Sequence, residues 1–136
     1  MTYYLKPNAD IEGFEANIWA YAVLINALDV LDADMTEFTI FNDGEEISQK
    51  AAEGWGRLLQ EKKHLLKAVN VLSKNGLERT VMVLRTMNND EINDIVSQYV
   101  DEKAKVLSIE EPEPELMKLI DRFADFLINC KGFRQY

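Results

Sequence analysis

Hydrophobic residues recur at helical spacing along most of the chain. Residues 14–31 predict a first helix, and two adjacent apolar stripes leave it little polar surface. A helix of this kind normally lies at the centre of a core. A second helical pattern begins after Ser48, which suits an N-cap, and continues to residue 72 with a polar interruption at 61–64. Gly54 and Gly56 within it would let another helix approach closely.

The segment 77–87 fits two kinds of element. Its β-branched run, Thr80 to Thr86, suits a strand, whereas its apolar residues also fall on one helical face. We favour a helix here, because residues 38–41 are the only other segment that the sequence marks as a strand. Asn88 and Glu91 have the spacing of a capping box and precede a helical pattern that extends to Val106.

Turn residues and prolines divide the chain between these elements. Asn42-Asp43-Gly44 is turn chemistry that redirects the chain into the helix after Ser48, and Asn75-Gly76 suits a helix C-terminus. The segment 110–115 separates one helix from a last one over 116–128, which Gly132 would end. A length of 136 residues corresponds to one domain. The prediction is a single all-α domain of four or five helices, with a short strand or hairpin near 37–42.

Acidic residues outnumber basic ones by 24 to 15, which gives a net charge of −9. The basic residues concentrate in the middle: residues 1–46 carry −9, residues 47–88 carry +5 and residues 89–136 carry −5. A protein this acidic is repelled by nucleic acids and anionic membranes, so we expect neither as a partner. Two interpretations stay open: the fold neutralises itself by packing unlike faces together, or it presents an acidic face to a basic partner.

The location predicted from the sequence is the cytoplasm. Cys130 is the only cysteine, so no internal disulfide can form, which suits a reducing compartment. The first residues lack the charged start and apolar run of a signal peptide. The longest apolar stretch, over 18–28, is far shorter than the ~20 residues of a membrane span.

Few residues are suited to catalysis or metal binding. His64 is the only histidine, so Glu61-x-x-His64 supplies one half of a di-iron helix pair, and zinc lacks a ligand set. The carboxylates of Asp29, Asp32 and Asp34 lack the spacing of a calcium loop, and no glycine-rich phosphate loop is present. We therefore predict no catalytic residue, no metal site and no cofactor. An enzyme that relies on carboxylates alone, and a structural homo-oligomer, stay open as alternatives.

Two short motifs resemble those of a group of small, acidic bacterial proteins. One is the turn and helix entry Phe41-Asn42-Asp43-Gly44-x-x-Ile47-Ser48, and the other is Phe123-x-x-Phe126-Leu127 followed by Gly132-Phe133. The resemblance covers about a third of the chain and excludes residues 62–110. It implies no activity and assigns no catalytic residue.

These observations favour a non-enzymatic protein that binds another protein. The most specific form is an immunity or inhibitor protein that masks a basic toxin or nuclease, because an acidic surface speeds encounter with a basic partner. The candidate partner-binding residues are the acidic ones in the first third of the chain: Asp29, Asp32, Asp34, Glu37, Asp43, Glu45 and Glu46. The alternative is a helical regulatory or small-molecule-binding domain with an aromatic pocket between helices, lined by Trp19, Tyr21 and Trp55.

Overall fold

The chain combines helices with strands that pair in two antiparallel sheets, so the fold is α+β and the all-α prediction is wrong. The computed structural model describes residues 2–136. The strands are β1 (Thr2–Pro7), β2 (Phe14–Asn17), β3 (Glu45–Ile47), β4 (Leu66–Leu72), β5 (Glu78–Leu84), β6 (Lys105–Glu110) and β7 (Phe133–Gln135). The helices are α1 (Ile18–Val30), α2 (Gln49–Lys62), α3 (Asn89–Tyr99) and α4 (Pro114–Asn129). A single 3-10 turn (Lys63–Leu65) joins α2 to β4.

Four strands form an antiparallel sheet in the order β2-β1-β7-β3. The buried Gln135 on β7 anchors a loop to this sheet: its amide nitrogen donates to the backbone oxygens of Thr39 (2.9 Å) and Phe41 (2.6 Å). Its amide oxygen accepts from the Tyr21 hydroxyl on α1. Residues 37–42 therefore lie against the sheet as a loop. The strand or hairpin predicted near 37–42 does not form, and the nearest strand is β3, which begins three residues farther along.

The other three strands form an antiparallel sheet in the order β5-β4-β6. Two sequence predictions fail here, because residues 66–72 and 78–84 are strands rather than helices. The sheet is covered on both sides, so β4 buries residues from both of its faces, and such a strand has no clear alternation. Asn75-Gly76 is the turn between β4 and β5 rather than the end of a helix, and Gly76 has a φ of 80°.

The three-stranded sheet separates a small core from the main one. Val69, Val71, Val81 and Val83 on one face pack against Ile92 and Val96 of α3. On the other face, Leu66, Ala68 and Met82 belong to the main core, which also contains most of the buried residues of α1, α2 and α4. α1 is thus enclosed by both sheets and by α2, as its apolar circumference predicts.

Helix starts agree with the sequence better than helix lengths do. The Ser48 hydroxyl accepts from the Ala51 backbone, and Asn88 and Glu91 form the predicted capping box. α1 begins only at Ile18, because residues 14–17 pair with β1. α2 ends at Lys62, and α3 ends at Tyr99, so that Val106 lies in β6. Within residues 2–136 no helix combines the length and apolarity needed to cross a membrane.

The two glycines of α2 differ in their surroundings, and this yields a matched test of helix packing. A Cβ at Gly56 would lie 2.8 Å from the Ala124 carbonyl oxygen of α4, whereas one at Gly54 would meet no atom within 4 Å. We expect Gly56→Ala to lower the free energy of unfolding by about 1–3 kcal/mol, because α2 and α4 must separate. Gly54→Ala should raise it by up to about 1 kcal/mol through helix propensity.

Urea denaturation of both variants measures these changes. Equal effects of the two substitutions would contradict the close packing of α2 on α4.

Candidate functional site

An open groove of about 900 Å³ lies between α1 and the three-stranded sheet. Its apolar walls come from α1 and from the beginning of α4, with one residue of β6. The main apolar lining residues are Ile18, Trp19, Ala22, Val23, Leu107, Leu116 and Leu119. A volume of this size is within the range of roughly 300–1,000 Å³ that ligand pockets occupy.

The floor of the groove is polar. Asn70 in β4 pairs with Thr80 of β5 and Ser108 of β6, so the three side chains share one face of the sheet. The Thr80 hydroxyl donates to the Asn70 amide oxygen at 3.0 Å, and the Asn70 amide nitrogen donates to Ser108 Oγ at 3.0 Å. It also donates to a carboxylate oxygen of Glu110 at 3.3 Å. A line of hydrogen-bonding groups therefore crosses the floor from one edge strand to the other.

A buried amide fixes α1 beside the sheet. Asn26 accepts from the Met82 backbone nitrogen at 2.6 Å and donates to the Met82 oxygen at 3.3 Å. Met82 lies on β5, which is an edge strand, so the Asn26 side chain takes the place of a neighbouring strand. These two bonds set the distance between the helical wall of the groove and its floor.

Trp19 and Arg79 stand together at the groove. Trp19 is 54% exposed. The guanidinium carbon of Arg79 lies 4.5 Å from the centroid of the Trp19 ring. This is a cation–π contact, so Arg79 covers one face of the indole. Arg79 Nε is the one buried side-chain polar atom in residues 2–136 that has no hydrogen-bond partner.

The groove is acidic. Its charged lining residues are Arg79 and four glutamates: Glu78, Glu110, Glu111 and Glu113. Glu111 forms a bidentate ion pair with Arg85, and the hydrogen bonds from that guanidinium hold the pKa of its carboxyl below the usual value. The other three glutamates form no salt bridge within residues 2–136. An approaching cation thus meets several uncompensated carboxylates.

The seven predicted partner-binding residues all lie outside the groove, in three separate places. Asp32, Asp34 and Glu37 line a smaller depression of about 420 Å³ beside Lys50. Asp29 accepts a hydrogen bond from the Tyr99 hydroxyl, and burial, together with this bond, raises the pKa of that phenol. The remaining three, Asp43, Glu45 and Glu46, lie at or just before β3. Six of the seven are exposed, and Glu45 is half-buried.

Two of these acidic residues hold the local backbone. The carboxylate of Glu37 accepts from the nitrogen of Ser48, the N-cap of α2, at 2.9 Å and from its hydroxyl at 2.7 Å. Asp34 likewise accepts from the backbone and the hydroxyl of Thr36. These hydrogen bonds lower the pKa of both carboxyls, so each stays ionised to a lower pH than a free carboxyl does.

The three predicted pocket aromatics do not meet in one pocket. Only Trp19 lines the groove. Tyr21 is buried in the main core, and Trp55 is buried with its indole nitrogen donating to the Asp34 backbone oxygen at 2.8 Å.

His64 and Cys130, the only histidine and the only cysteine, lie in different elements. His64 is exposed in the turn after α2, whereas Cys130 is buried and its thiol donates to the Leu127 oxygen at 3.4 Å. Burial raises the pKa of this thiol, which disfavours the reactive thiolate. Among residues 2–136 no group of three or more histidine, cysteine or acidic side chains is placed to hold a metal ion.

Comparison of the chain with protein-family models, curated proteins and solved structures found no match. Apart from Trp19, the groove residues were not predicted from the sequence, because they come from the separate elements α1, β4, β5, β6 and α4. One signal was present: Asn26 interrupts the apolar run of the first helix, and a polar residue at a core position of a helix needs a partner.

Asn26 provides a test of how the groove is held. Asn26→Leu keeps the size of the side chain but leaves the buried Met82 nitrogen and oxygen without these partners. We expect the free energy of unfolding to fall by about 2–4 kcal/mol, measured by urea denaturation. The control is Asn93→Leu, at an exposed position on α3, which should change stability little. A loss for Asn26→Leu no larger than for the control would contradict this role.

Proposed function

We propose that this protein is a non-enzymatic binding module that recognises a basic protein partner. In its most specific form it is an immunity or inhibitor protein that masks a basic toxin or nuclease. The support comes from the acidic surface and the acidic groove, where the fold leaves most carboxylates without an ion-pair partner.

The observation that carries the proposal is how little of the acidic charge is paired internally. The part of the chain that the structure describes contains four salt bridges, all of them partly exposed, although the sequence has 24 acidic residues. Among the seven residues predicted from the sequence, Glu46 alone pairs with a cation, Arg134, at 3.4 Å. Packing of unlike faces therefore leaves most of the net charge directed at solvent, where it attracts a basic partner.

The groove supplies a place for a basic segment to dock. Lysine and arginine side chains combine a long aliphatic stem with a charged end, so their stems suit the apolar walls. Their charged ends suit the carboxylates of Glu78, Glu110 and Glu113, which form no salt bridge within residues 2–136. The exposed indole of Trp19 adds a surface on which a second guanidinium can stack.

The acidic residues outside the groove have a different part in this proposal. Asp32 and Asp34 carry exposed charge in a separate depression, at a distance from the docking site. Charges at the rim of an interface mainly raise the association rate, whereas groups buried on binding mainly slow dissociation. In this proposal the carboxylates outside the groove raise the association rate, and those in the groove slow dissociation.

The test uses an arginine- and lysine-rich peptide with a fluorophore as a probe. The triple variant Glu78→Gln, Glu110→Gln and Glu113→Gln should weaken its binding about tenfold, because three desolvated charge contacts are lost. Fluorescence anisotropy at low and high salt measures the affinity. An acidic peptide of the same length should not bind.

A matched control separates the groove from net charge. The variant Glu12→Gln, Glu15→Gln and Glu61→Gln removes three exposed carboxylates outside the groove. It has the same net charge as the groove variant, so it should lose far less affinity. Equal losses in the two variants would show that the peptide senses only overall charge, and would overturn the groove as the docking site.

A second candidate function is the binding of a small cationic molecule in the same groove. The observation that favours it is the combination of a pocket-sized volume, the apolar walls and the hydrogen-bonding floor of Thr80, Asn70 and Ser108.

A thermal-shift screen of amines and guanidinium compounds distinguishes the candidates. If the groove holds a small molecule, one compound should raise the melting temperature by several degrees through binding to the folded state. Trp19→Ala should abolish this shift. If no compound shifts the melting temperature and the basic peptide binds, small-molecule binding is excluded and the protein-binding function is supported.

A further inference from the structure

Strand β6 forms an open edge of the three-stranded sheet. It pairs with β4 on one side, and among residues 2–136 no strand pairs with its other side. An edge strand presents a row of backbone nitrogens and oxygens that can pair with another chain. At the opposite edge of the same sheet, β5 is occupied at Met82 by the side chain of Asn26.

The middle of β6 carries apolar side chains at this edge, and charged side chains stand only at its two ends. Leu107 is 46% exposed and Ile109 is 43% exposed, although both are large and apolar. The strand contains no proline and no charged residue between Lys105 and Glu110, so two common features that block edge pairing are missing. Exposed apolar residues along an open edge favour pairing with a further strand.

A bulge determines which side chains share a face. Val106 pairs with Val71 and Ser108 with Asn70, so Leu107 is an extra residue between them. Lys105, Ser108 and Glu110 pair with Leu72, Asn70 and Ala68, which lie on the groove face, and Leu107 also lines the groove. Val106 and Ile109 lie on the opposite face. The order in which side chains fall on the two faces is therefore the same from Lys105 to Glu110 as from Glu110 to Lys105.

We propose that β6 pairs in antiparallel fashion with β6 of a second copy of this chain. In the register that this symmetry selects, Lys105 faces Glu110, Val106 faces Ile109, and Leu107 faces Ser108. Every pair then joins side chains of the same face, as a two-fold axis perpendicular to the sheet requires. The result is a continuous six-stranded sheet with the order β5-β4-β6-β6-β4-β5.

Charge complementarity identifies a second copy as the occupant. Lys105 and Glu110 are both exposed, and neither forms a salt bridge within residues 2–136. The antiparallel register places them opposite each other at both ends of the strand pair, giving two favourable cross-strand contacts. A parallel arrangement would instead place Lys105 beside Lys105 and Glu110 beside Glu110.

The pairing would also alter the groove. The two-fold axis keeps the groove faces of both copies on the same side of the joined sheet. Lys105 of the second copy would then stand beside Glu110, which lines the groove and accepts a hydrogen bond from Asn70. Dimerisation would thus neutralise one carboxylate in each groove and bring the two grooves side by side.

Sedimentation velocity tests the pairing with charge reversals. The interface is small, so the measurements should cover about 5 to about 500 μM. Wild-type protein should form dimers toward the upper end of this range. Lys105→Glu and Glu110→Lys should each weaken dimerisation at least about tenfold, because both cross-strand pairs become like-charged. Circular dichroism confirms that each variant is folded.

Mixing the two variants gives the decisive result. A Lys105→Glu chain and a Glu110→Lys chain are complementary at both ends, so their equimolar mixture should dimerise again. A chain that carries both reversals should dimerise by itself. The controls Lys103→Glu and Glu102→Lys change the same charges in the turn before β6 and should leave dimerisation unaffected.

Three outcomes would overturn the proposal. They are a wild-type monomer across the whole concentration range, dimers that neither single reversal weakens, and single variants whose mixture stays monomeric.

Discussion

A helix without a broad polar face has to be enclosed, and α1 places this constraint on the rest of the molecule. Of its thirteen residues seven are buried, and its exposed positions include the small Ala22 and the C-terminal Asp29. Burying that much apolar surface is the main source of stability available to one helix. The two sheets and α2 pack around it.

The enclosure is incomplete at one point, and that point is the groove. Trp19 near the start of α1 remains largely exposed, whereas Asn26 farther along the helix is bonded directly to β5. The helix is therefore fixed to the sheet at one position while its first turns border open space. A rigid wall beside a polar floor can hold a ligand without ordering new backbone, which lowers the entropic cost of binding.

Local signals in the sequence were reliable where the neighbouring residues alone decide the structure. Ser48 and Asn88 begin helices because their side chains bond the free backbone nitrogens three residues later. The strands were not predicted, for two different reasons. β7 pairs with β1, which lies more than 120 residues away, so no local pattern indicates the pairing. β4 and β5 are neighbours in a hairpin, but burial on both faces of β4 gives it no strand alternation, and it was interpreted as helix. Because residues 66–72 were interpreted as helix, residues 78–84 had no partner strand in the sequence and were interpreted as helix as well.

The candidate site was still less accessible to sequence reasoning. The acidic residues at 29–46 are visible in the sequence and are mostly exposed in the structure, yet they lie in three places outside the groove. Thr80, Asn70 and Ser108 come together only through the register of β5, β4 and β6, which no local pattern encodes. Charge could be counted from the sequence, but its arrangement depends on the tertiary fold.

The two tryptophans occupy unlike surroundings, and this has a spectroscopic consequence. Trp55 is buried and hydrogen-bonded to the backbone of Asp34, so its emission should be blue-shifted and shielded from aqueous quenchers. Trp19 faces water beside a guanidinium, so its emission should be red-shifted and readily quenched. The intrinsic fluorescence of the unlabelled chain thus contains two separable components. Emission from Trp55 reports on the integrity of the core, and emission from Trp19 reports on binding at the groove.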